Sequence, residues 1–169
     1  MIYCFASTAK ITFAGSGVAV FASSQNNVQD MLKRLFFKRI NPNKVNQVIH
    51  VEYLKSVDNI KKIMAQHAAI LRPKFDLFKD RMEEAFAGNE NVSWSKPRGG
   101  YFISLDVPGC AKRIVSLASD AGVKFTAAGS TFPYRIDDND SNIRIAPSVP
   151  SLDEMNFAID VLTLSLIHI

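Results

Sequence analysis

The chain is poor in the residues that make disulfide scaffolds and metal centres. Its 169 residues include two cysteines, Cys4 and Cys110, and three histidines. The cysteines lie far apart and form no CxxC pattern, which argues against thiolate metal ligation and predicts two buried, reduced thiols in a reducing compartment. His50, His67 and His168 lack metal-ligand spacing, and a histidine on an apolar helix face packs more often than it ligates. The acidic run Asp137 to Asp140 lacks the glycine and distal glutamate of a calcium loop. No metal site is expected. No apolar run approaches the length of a membrane span: the longest, from Val18 to Ala22, is far too short, and no basic segment leads into a hydrophobic signal core. A soluble, cytoplasmic protein is the expectation. Twenty basic residues are interleaved with sixteen acids for a net charge of +4. Without a basic block or an aromatic ribonucleoprotein motif, that balance argues against nucleic acid as a partner.

What is present is a composition suited to a packed core, with 47% hydrophobic and 10% aromatic residues. Met1 to Phe5 reads as a short strand, and Ile11 to Ala22 as a loop feeding a second buried strand. Asn26, Asn27 and Asp30 are cap candidates for a helix from about Val28 to Phe37, broken by Asn41, Pro42 and Asn43. A second helix is expected over 44–54. From Val57 to Ala87 apolar residues recur at spacings of three and four, with Pro73 predicting a kink or short break and Gly88 an end. That length suits a helix bridging two domains. Beyond Gly88 the period becomes two: Val92, Trp94, Tyr101, Ile103, Leu105 and Val107 read as half-buried strands. A helix over 110–121 closed by Gly122, a strand over 123–125, a strand over 142–145 and a last helix complete the pattern. Ser151 followed by Glu154 is a capping-box signature for that helix.

The segment FASTAKITFAGSG, from Phe5 to Gly17, places one lysine among small and apolar residues. An ammonium taken from water is costly unless paired or neutralised, so Lys10 is either solvated at an element end or kept for its chemistry. Three segments together resemble the C-terminal half of class I/II aminotransferases, which are fold-type I pyridoxal-phosphate enzymes. They are Ser7-Thr8-Ala9-Lys10 with its glycine-containing turn, KPRGGYFISLDV from Lys96 to Val107, and SNIRIAPSVPSLDEM from Ser141 to Met155. The similarity is greatest to the bacterial-type aspartate aminotransferases related to the MocR proteins.

The resemblance implies an α/β fold fragment. Residues 1–50 would be the end of the large pyridoxal-phosphate domain, 51–87 a bridging helical segment and 88–163 a small α+β domain. Residues 164–169, LSLIHI, resemble a translated library adapter and are expected to be a non-native tail. By the same resemblance Lys10 is the catalytic amine, bound to the cofactor as a Schiff base in a dry pocket and later shuttling a proton. Ser7 would bind the cofactor phosphate; the alternative is a turn-forming serine. An arginine that grips that phosphate in many relatives has no counterpart here, so Ser16 and the amides of the small-residue turn would share the task. Arg144 would clamp the substrate α-carboxylate through two parallel donors; the alternative is a strand arginine paired with Asp137, Asp138 or Asp140. Gly99, Gly100 and Tyr101 would let a small-domain strand approach the substrate, or simply make a turn. The stretch Ala127 to Phe132 would shape the pocket.

The implied activity is amino transfer between an amino acid, preferably aspartate, and a 2-oxo acid such as 2-oxoglutarate, in a homodimer when full length. The phosphate cradle, the ring-stacking aromatic and the ring-pairing aspartate of the family lie upstream of the lysine segment, so this chain alone is expected to be inactive. Two other readings are a ligand-sensing domain of a transcriptional regulator and a noncatalytic interaction domain.

Overall fold

The computed structural model describes residues 2–168. The chain divides into two compact units, the first ending at His67 and the second beginning at Ala68.

In the first unit, strands β1 (Cys4–Ser7) and β2 (Ala19–Ala22) form an antiparallel hairpin with Ser7 opposite Ala19. Thr8 closes its loop: its N–H donates to Val18 O at 2.9 Å, and its hydroxyl oxygen accepts from Val18 N at 2.8 Å. The expectation of buried strands is not met. Phe5 is 74% exposed and Val20 59% exposed, because a two-stranded ribbon cannot cover its own faces. Cys4 shares that exposure and Cys110 is half-buried against the second unit's core, so neither free thiol is fully buried. Burial, then the nearby Asp140 carboxylate, pushes the Cys110 thiol up from its ordinary pKa.

Helix α1 (Gln25–Phe36) begins earlier than the sequence suggested, with Ser24 at the N-cap. Its expected cap residues lie inside it: Asn27 Nδ2 reaches back to Ser23 Oγ at 2.9 Å, and Asp30 pairs with Arg34 one turn on. Helix α2 (Lys44–Leu54) forms where expected, because Asn43 Oδ1 accepts from Asn46 N at 3.0 Å and satisfies one open amide of the first turn.

Helix α3 (Val57–Phe86) runs without a break through Pro73. The missing N–H removes one bond to the preceding turn. Downstream, Phe78, Met82 and Phe86 are buried in the second unit's core, and their burial offsets that loss at about 1.5–3 kcal/mol per large side chain.

The second unit holds the main core. Strands β3 (Ser93–Trp94), β4 (Ile103–Asp106) and β5 (Asn142–Ile145) form an antiparallel sheet in the order β3-β4-β5. Leu105 and Ile143 pair across it. Helices α4 (Ala111–Asp120) and α5 (Leu152–Ile167) complete the cluster with Ile114, Ile159 and Leu162.

No strand forms over 123–125. Gly122, at φ +88°, lets the chain turn so that Val123 N donates to Ala118 O at 2.8 Å. That amide therefore finishes α4 in a Schellman-type closure, and Phe125 packs on the core without entering a ladder. The capping box on α5 is present: Ser151 Oγ accepts from Glu154 N and Ser151 N donates to Glu154 Oε2. The helix continues through 164–167, with Ser165 Oγ donating to Val161 O at 2.7 Å.

Candidate active site

The lysine lies on the loop 8–18 at one end of the β1–β2 hairpin. The amides of Ile11 and Thr12 both donate to Thr8 O at 2.9 Å, winding the chain into a turn around Lys10. Gly17 passes so close to this turn that a Cβ on it would stand 2.6 Å from Ala9 Cβ. Only a residue without a side chain permits that approach. Ser7 Oγ accepts from Ala9 N at 3.1 Å, and its own proton has no acceptor among the described residues. The amides of Ala14, Gly15 and Gly17 likewise have no acceptor among them, whereas Ser16 N is engaged with Phe13 O at 3.1 Å. The loop and the strand end before it thus bring together the side chains of Ser7, Lys10 and Ser16 and several amides without an acceptor among the described residues, groups of the kind that bind a phosphate. The implied dry pocket is not found: Lys10 is exposed. Helix α2 packs on the loop at Thr12, Phe13 and Ser16 and leaves Lys10 uncovered.

In the second unit Arg144 sits on β5 opposite Ser104. Its guanidinium carbon lies 4.6 Å from the centre of the Phe102 ring. Its Nε is buried and without a hydrogen-bond partner among the described residues. The carboxylates offered as partners by the sequence are not used: Asp137 accepts from Ser141 N at 2.8 Å and Asn142 N at 3.0 Å, and Asp140 accepts from Lys112 N at 3.1 Å. No ion pair joins Arg144 to any described residue. It borders a cleft of about 790 Å³ together with Phe125, Thr126, Pro150 and Phe157. Gly100, at φ +92°, leads through the half-buried Tyr101 into β4. Lys10 and Ser16 therefore share one loop with Ser7 at the strand end before it, and Arg144, Gly100 and Tyr101 belong to the other unit.

The residue that organises the Arg144 side was not singled out from sequence. Asn142 is only 5% exposed. Its Nδ2 donates to Ser104 Oγ and Asp106 Oδ1, both at 2.7 Å, and its Oδ1 accepts from Thr131 Oγ1 at 2.6 Å. Its carbonyl also accepts from Gly129 N at 3.0 Å. The segment 127–132 is thereby pinned to the strand two residues ahead of Arg144. Gly129, at φ +72°, stands where a Cβ would meet Asp137 Cβ at 3.0 Å. An asparagine in an apolar strand is the only signal for this knot in the sequence. Replacing it by alanine leaves several partly buried partners unpaired and is expected to destabilise the second unit by about 1–3 kcal/mol, measured by urea unfolding.

Asp137 supplies a pH dependence. Burial pushes its carboxyl up, but the hydrogen bonds from the Ser141 and Asn142 amides and the Ser141 hydroxyl together outweigh that and hold it below the usual range. The Ser151 amide and hydroxyl hold Glu154 down in the same way. A carboxyl depressed in the folded state contributes stability that is present above the unfolded value of about 4 and lost as pH falls through the folded one. The second unit is expected to lose stability below about pH 4. Asp137→Asn should flatten that acid limb in unfolding curves.

The family model described as aspartate amino-transferase matches residues 1–167, and the chain belongs to that family. A Mycolicibacterium smegmatis protein that bears the aminotransferase name only provisionally is 48% identical over 157 residues, covering 92% of this chain and 37% of that protein. The crystal structure of an aspartate transaminase from Corynebacterium glutamicum superposes with a TM-score of 0.92 at 40% identity, over 98% of this chain and 39% of that one. LysN, the α-aminoadipate aminotransferase of Thermus thermophilus, was solved with N-(5'-phosphopyridoxyl)-L-leucine. It shares the fold at a TM-score of 0.76 and 16% identity, over 98% of this chain and 42% of its own. The α/β fold here is therefore a fragment of the pyridoxal-phosphate aminotransferase fold, and the chain spans well under half the length of these relatives.

Proposed function

We propose that the chain is the C-terminal part of a pyridoxal-phosphate-dependent aminotransferase that moves an amino group between aspartate and a 2-oxo acid such as 2-oxoglutarate. The observation that carries this reading is Arg144: a guanidinium stacked on Phe102 at the edge of a cleft, with no carboxylate of the described chain paired to it. A buried donor without a partner costs about 1–3 kcal/mol, and the carboxylate of an amino-acid substrate would remove that cost.

Bound pyridoxal phosphate supplies an electron sink for negative charge at the substrate α-carbon. Ser7 and Ser16, with the open amides of residues 14, 15 and 17, hold its phosphate in place of the missing arginine. Lys10 would hold the cofactor covalently through its amine, and the same amine would be the group placed to take and return the α-proton. Arg144 fixes the α-carboxylate and with it the direction of the C–H bond, with Gly100 and Tyr101 at the substrate side. In this reading residues 1–50 end the large domain, 51–87 bridge, 88–163 form the small domain and 164–169 are a non-native tail. The full-length protein is a cytoplasmic homodimer, and the 169 residues alone are inactive.

The test is a coupled assay of aspartate with 2-oxoglutarate on the full-length protein and on the 169-residue chain. Transfer by the former only is expected. Robust turnover by the chain alone overturns the fragment reading, and no transfer by the full-length protein with any amino acid overturns the enzyme reading.

A further inference from the structure

Helix α2 grips the lysine loop with two side chains one turn apart. Asn46 Nδ2 donates to Ser16 O at 2.6 Å, and His50 Nε2 lies 2.9 Å from Thr12 Oγ1. The other ring nitrogen, Nδ1, lies 2.8 Å from Asn46 O. His50 is only 4% exposed, and Phe13 packs edge-on against its ring at 5.8 Å. A carbonyl oxygen can only accept, so Nδ1 carries a proton, and in the Nδ1–H tautomer Nε2 is the acceptor facing the Thr12 hydroxyl. Thr12 Oγ1 also lies 2.9 Å from Thr8 O, the carbonyl that receives the amides of Ile11 and Thr12. Through this one hydroxyl, bonded to the turn's carbonyl and in contact with the ring, Thr12 ties the turn to the helix that carries His50. The groups meeting the ring, Thr12 and Phe13 from the loop and Asn46 from the helix, are all uncharged. Both polar atoms of a deeply buried imidazole are thus devoted to the loop and its anchor.

We propose that His50 is a positioning residue for the lysine: its ring, oriented by Asn46 O, holds the Thr12 hydroxyl and thereby fixes the turn that presents Lys10. The consequence for cofactor attachment rests on the aminotransferase reading; the clamp itself does not.

The first readout is on the 169-residue chain in solution, by nitrogen-15 NMR of the His50 ring and by amide exchange at Ile11 and Thr12. The Nδ1–H tautomer is expected. Thr12→Val, which keeps shape without the hydroxyl, and His50→Leu should each speed exchange at those two amides about five- to tenfold. Thr12→Ser and His50→Gln, which keep a hydrogen-bonding group in place, should stay near wild type. An Nε2–H tautomer, or wild-type exchange in His50→Leu, overturns the clamp, because Thr12→Val also removes the bond to Thr8 O; where His50→Leu fails to fold, the tautomer of the wild-type ring decides. The second readout is borohydride trapping of pyridoxal 5'-phosphate on Lys10 in the full-length protein at limiting cofactor. Trapping should fall in Thr12→Val and return in Thr12→Ser, and equal trapping in the two overturns the consequence for Lys10. If wild type traps nothing on Lys10 while the exchange difference persists, the cofactor reading fails and the clamp stands.

Discussion

Lys10→Ala in the full-length protein is expected to lower aspartate turnover by about 10⁴-fold or more and to abolish covalent trapping of pyridoxal 5'-phosphate. In the proposed reading one amine would perform two tasks, covalent holding and proton transfer. General acid–base catalysis alone is worth about 10²–10⁴-fold, and losing the covalent tether adds to it. Stability should hardly change, because Lys10 is exposed on the loop 8–18 and an exposed substitution without a special backbone role lies within about 0.5 kcal/mol. A Lys10→Ala protein with wild-type turnover would instead favour a ligand-sensing or noncatalytic interaction domain.

The second large effect is expected at Arg144. Arg144→Lys keeps the charge but not the fork, and kcat/KM for aspartate should fall about 10²–10³-fold, since losing one side of a desolvated charge pair costs about 2–5 kcal/mol. Folding should respond differently. The stacking of the guanidinium on Phe102 is worth about 0.5–2 kcal/mol, while its buried, unpaired Nε costs about 1–3 kcal/mol. The two nearly cancel, so Arg144→Met is expected to leave the urea midpoint close to wild type while removing activity. A loss of stability that paralleled the loss of activity would make Arg144 a structural strand residue.

The elements that were legible in the sequence are those whose signals are local. Asn43 and the Ser151–Glu154 box announce α2 and α5 because a cap is decided by a hydrogen bond across one turn. The strand over 142–145 is announced by alternation. Pro73 does not break α3, because the burial of Phe78, Met82 and Phe86 decides that the helix continues. Val123 to Phe125 alternates like a strand, yet its first amide closes α4. Cys4 reads as a core residue, yet a strand's burial depends on what lies against it.

The site divides along the same line. By itself the sequence determined the kinds of residue available: one lysine in a small-residue loop, a serine three positions before it, an arginine in an apolar strand and the order of the segments around them. Residue types and short spacings are properties of the chain, and the family match rests on them. Tertiary structure alone decided which partners those residues have. It left Arg144 without a carboxylate by engaging Asp137 and Asp140 elsewhere, placed Asn142 among Ser104, Asp106 and Thr131, and brought His50 onto Thr12 from a helix 38 positions away. Hydrogen-bond partners distant in sequence are selected by packing, and no local pattern encodes which buried donor will find which acceptor.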